Sequence, residues 1–180
     1  MVAVIVAISV TWMVWAIPFF RTERSGPAQR IDTRARWGIA LEGVGFAFVW
    51  SQWAWVSAAA PWRWAAAVPF LIAGPLLSWT SARTLGRQWR FDAGLNADHR
   101  LVQEGAYRVV RHPIYASMFA LLIGTGLLAA RLPFLVPAVV FFVIGTEVRV
   151  RIEDALLASR FGESFEAYRR KVPAYIPFVR

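Results

Sequence analysis

Residues 101–115 read Leu-Val-Gln-Glu-Gly-Ala-Tyr-Arg-Val-Val-Arg-His-Pro-Ile-Tyr, a polar string that ends at the mouth of an apolar run. Pro113 suits a first helical turn, where its missing N–H costs nothing. Arg111 and His112 then lie just ahead of the positive end of that helix, a place where anionic groups bind readily. A second stretch, Glu147-Val148-Arg149-Val150-Arg151-Ile152-Glu153-Asp154, leaves the next apolar run. Helical spacing puts Glu147, Arg151 and Asp154 on one stripe and Arg149 and Glu153 on another. Taken singly, each feature has a plain explanation. An interfacial Arg anchors lipid headgroups, a Tyr sits at the membrane interface, and charged residues at a helix end form solvated ion pairs. As one spaced string beside an acidic pair, they read as a site.

These residues need elements to position them. Five apolar runs stand out: Val2 to Phe20, Trp37 to Ala60 with the single acid Glu42, Trp64 to Ala82, Ile114 to Ala130, and Leu132 to Thr146. Crossing roughly 30 Å of hydrocarbon takes about 20 helical residues. The first three runs meet that length. The last two are shorter, and only Arg131 separates them, so they form a tight helical hairpin. Of the 20 basic residues, 18 fall in segments 21–36, 83–113 and the tail from 147, leaving only Arg63 and Arg131 on the other side. This grouping predicts a cytoplasmic side for the Arg-rich segments and the C-terminus, with the N-terminus outside. Trp62 and Trp64 mark the outer boundary, and Trp37 and Trp89 the inner one. Val2 to Phe20 lacks the basic start of a signal peptide and reads as an anchor. The mid-helix Gly124-Thr125-Gly126 reads as close helix packing. Glu42, in mid-membrane, needs a partner, either for packing or along a substrate path.

Composition sets the outer limits. The 180 residues are 58% hydrophobic, with ten Trp and a net charge of +9. That is too much apolar surface for one soluble core, so the bilayer is the natural solvent. The fold class is all-α: a polytopic integral membrane protein of about five transmembrane helices with a cytoplasmic C-terminal catalytic region, in a plasma or bacterial inner membrane. The basic residues flank the spans and attract anionic lipid, which argues against nucleic acid as a partner. There is no Cys and only two His, His99 and His112. Thiolate chemistry and Cys- or His-rich metal centres are therefore excluded.

The string Leu-Val-x-x-Gly-x-Tyr-Arg-x-x-Arg-His-Pro-x-Tyr at 101–115 resembles the hallmark of the isoprenylcysteine carboxyl methyltransferase and phospholipid methyltransferase group. Further members of the pattern are Leu85-Gly86 and Trp89 upstream, then Glu153-Asp154, Phe161-Gly162-Glu163, Phe165, Tyr168, Val172-Pro173 and Ile176-Pro177-Phe178. The resemblance covers about 83–180, with order and spacing kept throughout. It departs in Asp154, where the family has a second Glu, and in Ala106, where it has Pro. A small residue often follows the Tyr by one, a place taken here by Ala116-Ser117. It divides the chain into 1–82, three N-terminal spans with a basic loop at 21–36, and 83–180, a methyltransferase-like region with the hairpin 114–150 and a cytoplasmic tail.

The resemblance implies S-adenosylmethionine as methyl donor and a lipophilic acceptor taken from the bilayer. The acceptor classes are a prenylcysteine-type carboxylate, a phospholipid amine, and a small lipophilic thiol or acid. Catalysis is expected at Arg111 and Glu153, with Asp154 as second choice. Donor binding is expected at Leu101, Val102, Gly105, Tyr107, His112, Pro113, Tyr115 and Glu153. The residue chemistry agrees: Arg111 suits bidentate grip of a carboxylate or phosphate, and Glu153 or Asp154 suits a base. The competing readings are an NADPH-dependent membrane reductase of sterol-like substrates and a non-catalytic membrane scaffold.

Overall fold

A computed structural model describes residues 1–21, 30–53, 59–90, 93–95 and 99–177. Arg24, Phe178 and Arg180, used in the charge grouping and the motif, lie outside the described residues. The described residues form six α-helices: α1 Val2–Arg21, α2 Ala35–Trp50, α3 Pro61–Leu85, α4 Pro113–Ala129, α5 Leu132–Phe161 and α6 Glu163–Lys171. Proline opens α3 and α4, and Pro133 lies in the first turn of α5. Its fixed φ favours a helix start, where no hydrogen bond is lost. Gly162 closes α5 at φ +50°, a conformation that favours glycine.

The protein is an all-α polytopic membrane protein. Val2–Arg21, Pro61–Gln88 and Leu132–Phe161 are long and apolar enough to cross a membrane, and α4 is a shorter apolar helix. On α5, Val136, Val140 and Ile144 recur every fourth residue and are exposed, forming a lipid-facing stripe. Two helix lengths differ from the sequence expectation. The second run gives a helix of only 16 residues, about 24 Å at 1.5 Å per residue. The fifth does not stop near Thr146 but runs on to Phe161. Its last turns carry the charged stretch 147–154 clear of the apolar part.

Helix packing relies on small residues and indole hydrogen bonds, as expected where water gives no driving force between helices. Trp12 Nε1 donates to Thr125 Oγ1 at 3.0 Å and Trp15 Nε1 to Ser117 Oγ at 2.9 Å, tying α1 to α4. Ser78 Oγ and Trp79 Nε1 of α3 donate to the Trp15 and Val14 carbonyls of α1. A Cβ on Gly124 would lie 2.8 Å from Leu71 of α3, so the mid-helix Gly-Thr-Gly serves packing. At one end, Arg63 donates to the carbonyl of Ala130, joining the start of α3 to the α4–α5 turn. At the other, β1 (Arg30–Ile31) pairs antiparallel with β2 (Gly94–Leu95). This two-residue ladder, not foreseen in the sequence, brings the two Arg-rich connections together. Trp37 is exposed, as an interfacial anchor should be. Trp89 is not: it is buried against Phe19, with ring centroids 5.0 Å apart.

Candidate active site

The chain entering α4 is held from behind. The backbone N–H groups of Arg111 and His112 donate to the carbonyls of Pro173 and Ala174, both at 2.8 Å. The C-terminal segment after α6 therefore lies as a strap along the Arg-His-Pro string. Helix α6 buries Phe165 and Tyr168, three residues apart on one face, and the Tyr168 hydroxyl donates to the Tyr107 carbonyl at 2.6 Å. Arg111 reinforces the strap, since its Nη1 donates to the Val172 carbonyl.

The acidic pair meets this string from α5. Arg111 Nη2 lies 2.8 Å from Asp154 Oδ2, and His112 Nε2 lies 2.9 Å from Asp154 Oδ1. His112 Nδ1 is 3.3 Å from Glu153 Oε2, and the Tyr115 hydroxyl donates to Glu153. Burial of His112 opposes its charge, but hydrogen bonds to Asp154 and Glu153 outweigh it and raise its pKa to about 9. At neutral pH the imidazolium donates to both carboxylates. Burial also pushes the Tyr107 phenol well above its usual range, so it stays a neutral wall.

Tyr107, Arg111, His112, Tyr115 and Glu153 line a cavity of about 560 Å³, within the size range of small-molecule sites. Of the expected residues, Leu101, Val102, Tyr107, Arg111, His112, Pro113, Tyr115 and Glu153 are on its wall. Gly105 and Asp154 are not among the lining residues. Gly105 has φ +56°, and a Cβ there would come 2.7 Å from Thr84 Oγ1, so its place in the motif serves the turn. Asp154 stands behind Arg111 and His112 and orients both. Much of the remaining wall is apolar, with Trp15, Phe19, Phe46 and Met118 from the helices among its residues. Trp89, expected at the membrane interface, is part of this wall instead.

Glu42 and Arg149 are charged wall residues outside the site residues expected from sequence. Glu42 of α2 is buried in the wall, accepting from Thr146 Oγ1 at 3.0 Å and pairing with Arg149 Nη1 at 2.8 Å. Arg149 also lies over the Tyr115 ring, 4.6 Å from its centroid. The signal was present: an acid inside an apolar run demands a cation, and Arg149 is four residues from Glu153. The expected Glu147–Arg151 stripe is an exposed pair at 2.9 Å. Among the described residues, no group of three or more His, Cys, Asp or Glu is arranged to hold a metal ion.

The family model for phospholipid methyltransferases matches residues 62–164, more than half of the chain. The chain belongs to the phospholipid methyltransferase family. The match starts at the head of α3, earlier than the motif-bearing residues from 83, and leaves α1 and α2 outside. The protein-S-isoprenylcysteine O-methyltransferase of Schizosaccharomyces pombe is 40% identical over 85 residues, 47% of this chain and 36% of that protein. Protein-S-isoprenylcysteine O-methyltransferase B of Arabidopsis thaliana is 30% identical over 112 residues, 61% of this chain and 56% of that protein. The chain thus spans between a third and somewhat over half of these two family relatives. The nickel-cobalt-cadmium resistance protein NccN of Alcaligenes xylosoxydans xylosoxydans is 30% identical over 160 residues, 84% of this chain and 68% of that protein.

Proposed function

We propose that the chain is an S-adenosylmethionine-dependent methyltransferase that modifies a lipophilic acceptor at the cytoplasmic face of the membrane. One observation carries the reading. A single cavity is lined both by charged side chains, Arg111, His112 and Glu153 among them, and by aromatic and aliphatic side chains from the helices. A polar donor suits the first set and an acceptor drawn from lipid the second. The names of the two isoprenylcysteine methyltransferase relatives support the same reaction class.

The residues present fit the donor. Its ammonium and ribose hydroxyls need acceptors, and Glu153 supplies a carboxylate on the wall. Its adenine needs flat surfaces, and Tyr107, Tyr115 and Trp89 are aromatic walls. Arg111 keeps a buried Nε with no hydrogen-bond partner among the described residues, left for the polar group of the acceptor. When bound, S-adenosylmethionine supplies an electrophilic methyl group on a sulfonium.

The chain's own part is alignment and exclusion of water, which account for much of the acceleration of an in-line displacement. Leu101 and Val102 with the aromatic walls shape the donor end. Arg111, fixed by Asp154 and the strap carbonyls, presents its planar fork to the polar group of the acceptor. Glu153, fixed by Tyr115 and His112, holds the donor. For an amine or thiol acceptor a proton must leave, and Glu153 is the carboxylate on the cavity able to take it. Asp154 acts through the two residues it orients. For a carboxylate acceptor no proton moves.

The test is to incubate membranes containing the chain with S-adenosylmethionine carrying a labelled methyl group and to extract the lipids. Label in a lipid-extractable product, formed about a hundredfold more slowly in Arg111→Lys membranes, is the expected result. No label in any extract, with NADPH consumed instead, would favour a reductase.

A further inference from the structure

Glu42 stands on α2, outside the stretch matched by the family model, yet it is 2% exposed within the wall of the candidate site. A charged pair between two spans has a plain purpose as a helix clamp. Three observations go further. First, α2 is pressed against α5 at backbone level: a Cβ on Gly145 would lie 2.8 Å from the Glu42 nitrogen, and one on Gly45 would lie 2.7 Å from the Ala138 carbonyl. That contact fixes where Glu42 sits relative to Arg149. Second, Arg149 packs on Tyr115, whose hydroxyl holds Glu153. Third, Arg149 and Glu153 stand one helical turn apart on α5 and both line the cavity, the spacing at which opposite charges on a helix attract. Two carboxylates on one cavity wall therefore contend for one guanidinium.

We propose that Glu42 is a positioning residue of the methyl-transfer site, drawing Arg149 towards α2 so that Glu153, held by Tyr115 and His112, stays turned to the donor. Without the Glu42 charge, Arg149 swings onto Glu153 and masks the carboxylate that the donor needs. Helix α2, outside the matched family region, thus reaches into the chemistry through one buried acid. The inference rests on the donor reading given above.

The experiment measures binding of S-adenosylhomocysteine and the melting temperature of the full chain in detergent. It compares the wild type with Glu42→Asp, Glu42→Gln and the double variant Glu42→Gln/Arg149→Met. Gln keeps the size and can still accept from Thr146, but it lacks the charge that holds Arg149. Glu42→Gln is expected to weaken binding about tenfold, and Glu42→Asp to stay within about threefold of wild type. In the double variant no guanidinium remains to cover Glu153. Binding should return to within about threefold of wild type, as a buried ion pair replaced as a whole is often tolerated. A pure helix clamp predicts otherwise: affinity follows melting temperature and the double variant rescues nothing. Wild-type binding with Glu42→Gln unchanged, or a double variant no tighter than Glu42→Gln, would overturn the proposal alone. If Glu42→Gln does not fold, a double variant that folds but binds tenfold weaker than wild type overturns it too. Failure of the wild type to bind overturns the donor reading, and this proposal with it.

Discussion

Raising the pH from 6 to 10 removes one of the two ring protons with which His112 bridges Asp154 and Glu153. Its pKa is raised from 6.5 to about 9 in the folded protein. A group whose pKa is higher when folded contributes stability that is fully present below its unfolded value and lost as pH rises through the folded one. The contribution is therefore complete below about pH 6.5 and gone above about pH 9. At roughly 1.4 kcal/mol for each pH unit, it amounts to about 3 kcal/mol. Unfolding should be followed by heat or denaturant in detergent at steps across this window. To isolate His112, the quantity to read is the difference between wild type and His112→Gln. That difference should shrink steadily from pH 6.5 to 9. Asp154→Asn keeps an acceptor for one partner but loses the charge behind two short contacts, at 2.8 and 2.9 Å. It should destabilise by about 3 kcal/mol or more, as removing one side of a buried pair does, and flatten the pH dependence. Parallel pH profiles for wild type and His112→Gln would refute the charged-imidazole reading of the cluster.

Three further outcomes are expected. The chain has no Cys, so Ser164→Cys should resist an impermeant thiol reagent in intact cells while Arg131→Cys is labelled; labelling of position 164 from outside would reverse the proposed orientation. Arg111→Lys keeps the charge but not the planar fork, so turnover should fall about a hundredfold while donor affinity stays within about threefold. Glu153→Gln should weaken the donor by about 1.5–3 kcal/mol, the worth of a hydrogen bond to a charged group, and a calorimetric titration showing wild-type affinity would remove Glu153 from the donor site.

Much of this arrangement was legible because the bilayer imposes simple rules. Uninterrupted apolar runs gave α1, α3 and the α4–α5 hairpin, and the lone Arg131 marked the hairpin turn. The Arg-His-Pro string and the acidic pair were visible as a spaced pattern, and the fold brings Arg111, His112, Tyr115, Glu153 and Asp154 into contact. Division of labour within that cluster was not legible. Neighbours in sequence, Glu153 and Asp154, share His112 but differ in their second partner, Tyr115 for one and Arg111 for the other, and only Glu153 is on the cavity wall. The strap itself binds through backbone groups of Pro173 and Ala174, which side-chain chemistry does not announce. Trp89 passed for an interfacial anchor because burial of an indole depends on a distant partner, here Phe19. The Glu42–Arg149 pair spans more than a hundred residues, so a charge without a nearby partner was the only clue to it.

The most direct measurement of the central claim is isothermal titration of the detergent-solubilised chain with S-adenosylmethionine and, separately, with NADPH. The donor should bind with a dissociation constant near micromolar, about −8 kcal/mol, and its binding should raise the melting temperature by mass action. NADPH should give neither heat nor thermal shift. No response to millimolar S-adenosylmethionine, together with a clear response to NADPH, would contradict methyl transfer as the function of this cavity.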